Sequence, residues 1–227
     1  MAARSGNATP VDPVSPGMAD VDFFWDPMCP WAWITSRWMV EVQEQRDLDV
    51  DWRFIALRVV NEDKDYDTAF PPKYPQLHGL GLQLLRVAAA VREQHGREHL
   101  GALYTALGTR IHVDRGRESL FDRAGVATLL SELGLPPELA DVVDDEGEWD
   151  AAVRADTALG LERAGKDVGT PIITFAPPDG PSFFGPVISR IPRGQEALDL
   201  WDATERIARF PGFAELKRSL REPPQVV

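Results

Sequence analysis

Cys29 is the only thiol in a chain of 227 residues, and its neighbours decide what it can do. It stands in Asp26-Pro27-Met28-Cys29-Pro30-Trp31-Ala32. Before it, Val21 to Trp25 is a short apolar run that reads as a buried strand, broken by Asp26 and Pro27. After it, Trp31, Ile34, Trp38 and Val42 fall at helical spacing. Pro30 suits the first turn of that helix, because it has no N–H to leave unsatisfied there. The thiol therefore sits where a strand becomes a helix. Free backbone N–H groups and the positive end of the macrodipole favour an anion at that position. A thiol so placed can have its pKa lowered to about 3.5–7.5, which makes it a nucleophile. Since no second cysteine exists, no internal disulfide can form. The competing reading is a small, packed, inert residue.

The elements that must position this thiol follow from the hydrophobic pattern. Val50, Trp52 and Phe54 alternate with Asp49, Asp51 and Arg53, the period of a strand with one polar face. Strand, helix, strand at this length predicts a β-α-β unit with a parallel pair. Residues 58–76, charged and then proline-rich, read as a loop or linker. Helices are expected over 77–94, 97–111, 119–133 and 148–164, with a short one over 137–143. Leu100, Leu103, Tyr104, Leu107 and Ile111 form the clearest apolar stripe. The β pattern returns with strands over 171–175 and 181–184, joined by the turn Pro177-Pro178-Asp179-Gly180. A helix over 194–210 and a short helical tail over 213–220 complete the chain.

The strand, Cys-Pro-Trp-Ala and helix resemble the active site of the DsbA family of thioredoxin-fold oxidoreductases, whose usual motif is Cys-x-x-Cys. The element order supports this independently: β-α-β, an all-helical insert, then β-β-α. The expected fold is α/β and thioredoxin-like, with residues 19–60 and 167–227 forming the thioredoxin-like domain. Residues 61–166 are the expected helical insertion and 1–18 a disordered leader. The stretch from Phe183 to Gly194, together with FFWDPMCPWAWITSRW, is similar to one branch of that family, the actinobacterial mycothiol-dependent reductases, nitroreductases among them. By this resemblance Thr170 and Pro171, in Gly169-Thr170-Pro171, line the site. Pro171 is expected to be cis and to face the cysteine. Pro30, Trp31 and Ala32 would flank a bound thiol, and Trp31 serves equally as a packing residue. Arg190 and Arg193 are candidates to meet a carboxylate of a thiol cofactor, or are solvated surface charges. His112 is a weaker candidate to face the cleft.

Several classes are set aside. The formal net charge of −12 argues against nucleic-acid and membrane-surface binding. No run approaches the ~18 apolar residues of a membrane span. Asn7-Ala8-Thr9 fits a glycosylation sequon, read as chance. His95 and His99 have i, i+4 spacing, but Gly96 between them and the lack of a third ligand argue against a metal. A P-loop-like run over 160–166 lacks its Ser/Thr, because Asp167 stands there. No dinucleotide fingerprint is present.

The expected function is a cytoplasmic thiol oxidoreductase in which Cys29 acts alone. No cofactor is tightly bound; mycothiol or another low-molecular-weight thiol is the co-substrate that resolves a mixed disulfide. The second substrate is a small disulfide or electrophile, and the protein is a monomer or homodimer. Two other readings stand beside it. One is an enzyme like 2-hydroxychromene-2-carboxylate isomerase or kappa glutathione transferase, which holds a thiol cofactor at the first helix. The other is a non-catalytic binding module.

Overall fold

The computed structural model describes residues 19–227. The leader expected over 1–18, with its Asn7-Ala8-Thr9 tripeptide, lies outside the described residues. In chain order the elements are β1 (Val21–Trp25), α1 (Pro30–Gln43), β2 (Val50–Phe54), α2 (Leu57–Val60), α3 (Tyr66–Ala69), α4 (Tyr74–His95), α5 (Leu100–Gly108), α6 (Arg123–Glu132), α7 (Glu148–Ala164), β3 (Ile172–Phe175), β4 (Ser182–Phe184) and α8 (Gly194–Ala208). The strands form one sheet in the order β2-β1-β3-β4. β1 and β2 are parallel, with Val21 opposite Val50 and Trp25 opposite Phe54. β3 runs antiparallel to β1, and β4 antiparallel to β3. This is the thioredoxin-like arrangement, with helices α2 to α7 between its two halves.

β1 is buried along its whole length because both faces of the sheet are covered. Val21, Phe23 and Trp25 join the main core with α1 residues such as Ile34 and Trp38. Phe24 points the other way, into a smaller cluster with Ile55 and Ile172 against Leu159 and Leu161 of α7. Gly160 lets α7 come that close, since a Cβ there would stand 3.0 Å from the Phe24 ring. Asp22 shares this face and is buried. It accepts from Arg163 at 2.6 Å and pairs with Arg53 at 3.1 Å, so its charge is not left alone.

The helical stretch departs from expectation in detail. Residues 58–76 are not all loop: α2 and α3 are single turns there, and α4 begins at Tyr74 with Pro75 in its first turn. The segment 97–111 is not one helix. It divides into a 3₁₀ turn (Arg97–His99), α5 and a π turn (Thr109–Val113). Its apolar stripe is nonetheless buried as expected. Ser119 to Phe121 belong to a separate 3₁₀ turn ahead of α6, and Pro137–Asp144 is 3₁₀ rather than α. The helical tail over 213–220 does not form. Leu216 and Leu220 are 83% and 85% exposed, and so short a helix with no surface to bury is not stable alone.

Candidate functional site

Cys29 is the N-cap of α1. Its backbone is extended (φ −83°, ψ 111°), and its sulfur accepts the Ala32 N–H at 3.4 Å, the role a serine or aspartate oxygen often fills. Pro30 occupies the first turn. The thiol donates to the carbonyl oxygen of Thr170, 3.5 Å away and 141 residues distant in sequence. The Thr170–Pro171 peptide is cis. The Thr170 hydroxyl donates to the Phe24 carbonyl at 3.3 Å, which fixes this loop to β1. Cys29, Ala32, Thr170 and Pro171 therefore meet where the sequence brings strand, helix and second half together. Trp31 is half-buried at the rim.

Helix placement does not lower the pKa of this thiol as the sequence predicts. Burial pushes the Cys29 pKa up to about 12, and the Asp26 carboxylate adds to the rise. The N–H groups of Ala32 and Trp31 act in the opposite direction but do not overcome burial. Cys29 is only 6% exposed. In this closed arrangement the resting species is the thiol, which is what donation to the Thr170 carbonyl requires.

Two residues of the site escape a reading based on pattern. Asp26 reads from sequence only as the residue that ends the strand, yet it is wholly buried beside the turn. Its carboxylate accepts from the N–H of Met28 at 2.8 Å and of Leu57 at 2.7 Å. Burial raises its pKa to about 6, with those two bonds pulling down. Gly81 is where α4 crosses Asp26: a Cβ would lie 2.8 Å from Oδ1. An acid directly after a strand buried along its whole length is the signal that marks such a buried acceptor.

Trp33 is the second. The helical stripe places Trp31 inward, but Trp33 is the buried one, at 3% exposure. Its ring stacks on His112 at 5.9 Å and 24°, and Arg37 lies over it at 4.3 Å. α5 meets it at Gly108, where a Cβ would stand 2.1 Å from the ring. His112 Nε2 is 2.8 Å from the Pro27 carbonyl, so that nitrogen carries the proton. Burial holds the His112 pKa down to about 4. His112 thus reaches the active-site turn through its backbone. Arg190 and Arg193 are elsewhere engaged, with Glu196 at 2.7 Å and Glu41 at 3.0 Å on the exposed surface before and at the start of α8. His95 ends α4 and His99 lies in the next turn, so the two do not share a helix.

Residues 28–218 match the model of the Rv2466c-like family, described as mycothiol-dependent nitroreductase Rv2466c. The chain belongs to this family. Among its relatives, an uncharacterized Mycobacterium tuberculosis protein, Rv2286c, is 31% identical over 203 residues, covering 88% of this chain and 82% of the relative. Two solved structures share the fold of this Rv2466c-like protein. A probable DsbA oxidoreductase from Streptomyces coelicolor has a TM-score of 0.55 at 18% identity, over 89% of this chain and 95% of its own. A 2-hydroxychromene-2-carboxylate isomerase has a TM-score of 0.53 at 15% identity, over 83% and 96%. The protein is a DsbA-like thioredoxin-fold member of the mycothiol reductase branch, and family and fold together support thiol oxidoreductase chemistry. Among the described residues, no helix is long and apolar enough to cross a membrane.

Proposed function

We propose that this protein is a cytoplasmic, monothiol, mycothiol-dependent reductase in which Cys29 forms and releases mixed disulfides. The observation that carries the reading is the Cys29 thiol capping α1 while facing the Thr170 carbonyl across the cis-proline loop, in a chain of a mycothiol-dependent family. In the first step the Cys29 sulfur attacks a disulfide R–S–S–R. The Cys29–S bond forms, the S–S bond breaks, and the leaving thiolate takes the proton that Cys29 loses. In the second step an external thiol attacks the mixed disulfide, and its proton returns to Cys29. Ala32 cannot do this, so the lifetime of the adduct depends on external thiol concentration. Thr170 and Pro171 hold the incoming sulfur against Cys29, and Trp31 flanks it. The incoming substrate displaces the contact between Cys29 and the Thr170 carbonyl, and Cys29 gives up its proton as it attacks.

Incubation with oxidised mycothiol, or oxidised glutathione, followed by intact mass measurement tests this. A single adduct of the thiol's mass is expected, preferentially with mycothiol, and Cys29→Ser should abolish it. No adduct with either disulfide would overturn the proposal. Ala32→Cys should then shorten the life of that adduct. Its thiol would lie three residues on, one helical turn from Cys29 and within disulfide reach.

One observation favours a second reading. The upward shift and burial of the Cys29 thiol suit a site that holds a reactive thiol without joining it, as the isomerase-like enzymes do. In that case turnover proceeds with no disulfide on Cys29.

A further inference from the structure

The last residues described do not trail into solvent. Arg221 lies over the Trp31 ring at 5.9 Å. The Gln225 N–H donates to the Ser189 carbonyl at 2.7 Å. The Val226 carbonyl accepts the Trp33 indole N–H at 3.0 Å, and the Val226 side chain packs against the core. Pro223 and Pro224 keep the stretch extended. The segment is otherwise exposed and has no regular secondary structure. It lies beyond residue 218, where the family match ends. It therefore crosses the residues two and four positions after Cys29, and it is held there chiefly through its main chain, giving one N–H and receiving with one carbonyl. Any extended polypeptide offers the same pair of groups.

We propose that Arg221–Val226 is a specificity-determining strap. It occupies the path beside Trp31 and Trp33 that an extended peptide would take to Cys29, and so confines the cysteine to small thiols and disulfides. The inference rests on the thiol-exchange reading for its chemistry but not for its geometry, and the test separates them. The protein of 227 residues is compared with a chain truncated after Leu220 and with Gln225→Pro, which removes the N–H given to Ser189 and keeps the rest of the segment. Four rates at Cys29 are followed by intact mass: iodoacetamide, a polyethylene-glycol maleimide, glutathione disulfide, and the mixed disulfide of a short cysteine peptide. Truncation should raise the rates of the two bulky reagents about tenfold, the ratio expected when a segment held by two net hydrogen bonds stops excluding them. The small reagents should change little, and Gln225→Pro should show part of the effect. Equal acceleration of small and bulky reagents, or no change in either, overturns the strap. If alkylation shows the size effect while neither disulfide reacts, the strap stands and the thiol-exchange reading fails.

Discussion

Trp33 is held from two sides, and the two holds differ in kind. On the helical side its ring lies on His112, against α5 at Gly108 and under Arg37, all buried or half-buried, and His112 reaches on to the Pro27 carbonyl. On the C-terminal side a single indole N–H meets the Val226 carbonyl of an exposed segment. Contacts of the first kind exclude water and become costly when broken, because a buried acceptor is left without its donor. Those of the second exchange readily with water. The active-site turn thus has a fixed wall and a removable one, and changes on the two sides should separate stability from access.

The largest effect is expected on the fixed wall. His112→Ala strips the Pro27 carbonyl of its donor and Trp33 of its stacked ring, and should destabilise the protein by about 3 kcal/mol in urea unfolding. A loss under about 1 kcal/mol would mean that water reaches this wall too. Gly108→Ala should cost somewhat less. The overpacking against Trp33 is worth about 1–3 kcal/mol, and the better helix propensity of alanine offsets up to about 1 kcal/mol of it. Its melting temperature should fall with the thiol chemistry of Cys29 intact.

The same wall carries an opposed pair of pH dependences. His112 is held down to about 4 from 6.5. Between those values the unfolded chain binds a proton that the folded one does not, so this stability is complete above pH 6.5 and is lost as pH falls toward 4. Asp26 is held up to about 6 from 3.8. There the folded chain keeps the proton that the unfolded one releases, so stability from Asp26 is complete below 3.8 and falls as pH rises toward 6. The two slopes cancel in large part between pH 4 and 6. Unfolding of His112→Phe across that interval should expose the Asp26 slope, with stability declining as pH rises by up to about 3 kcal/mol. A variant as flat as the parent would mean that the two groups are not held as the structure has them. In a second series of buffers from neutral to alkaline pH, alkylation of Cys29 should keep accelerating above the ordinary thiol value of ~8.5. A plateau near neutrality would restore the activated thiolate that the helix terminus alone predicts.

The parts legible in the sequence are those that follow from period and punctuation. The run Val21 to Trp25, the proline after the cysteine, the alternation in β2 and the turn before β4 each specify local geometry by themselves. A one-cysteine helix start with the loop at Thr170 and Pro171 could be read as a pair through family resemblance. What resisted reading depends on neighbours far along the chain. Glycine has a poor helix propensity, and only the packing of Asp26 and Trp33 accounts for Gly81 and Gly108 inside helices. Trp33 falls off the i, i+3, i+4 stripe because α1 is buried on more than one face, so periodicity names Trp31 in its place. Helix-terminus electrostatics predicts a low thiol pKa, but only the packed structure reveals the burial that overrides it. The expected tail helix over 213–220 fails for a related reason: propensity was present, but no apolar surface met Leu216 and Leu220.

The smallest effect belongs to the removable wall. Truncation after Leu220 deletes the two hydrogen bonds made by main-chain groups of Gln225 and Val226, the long Ser189–Glu222 contact at 3.4 Å and the partial burial of Val226. The segment is exposed, so each bond is worth about 0.5 kcal/mol net, the low end of the range. The loss should be about 1 kcal/mol, a fall of about 2–4 °C in melting temperature for a chain of this length. That modest hold is still enough to keep the strap closed most of the time, because opening it requires no unfolding elsewhere. Calorimetry of the truncated chain beside His112→Ala puts the comparison at risk. If truncation costs as much stability as loss of the imidazole, the C-terminal segment is part of the core rather than a cover. Its effect on bulky reagents would then come from a loosened fold.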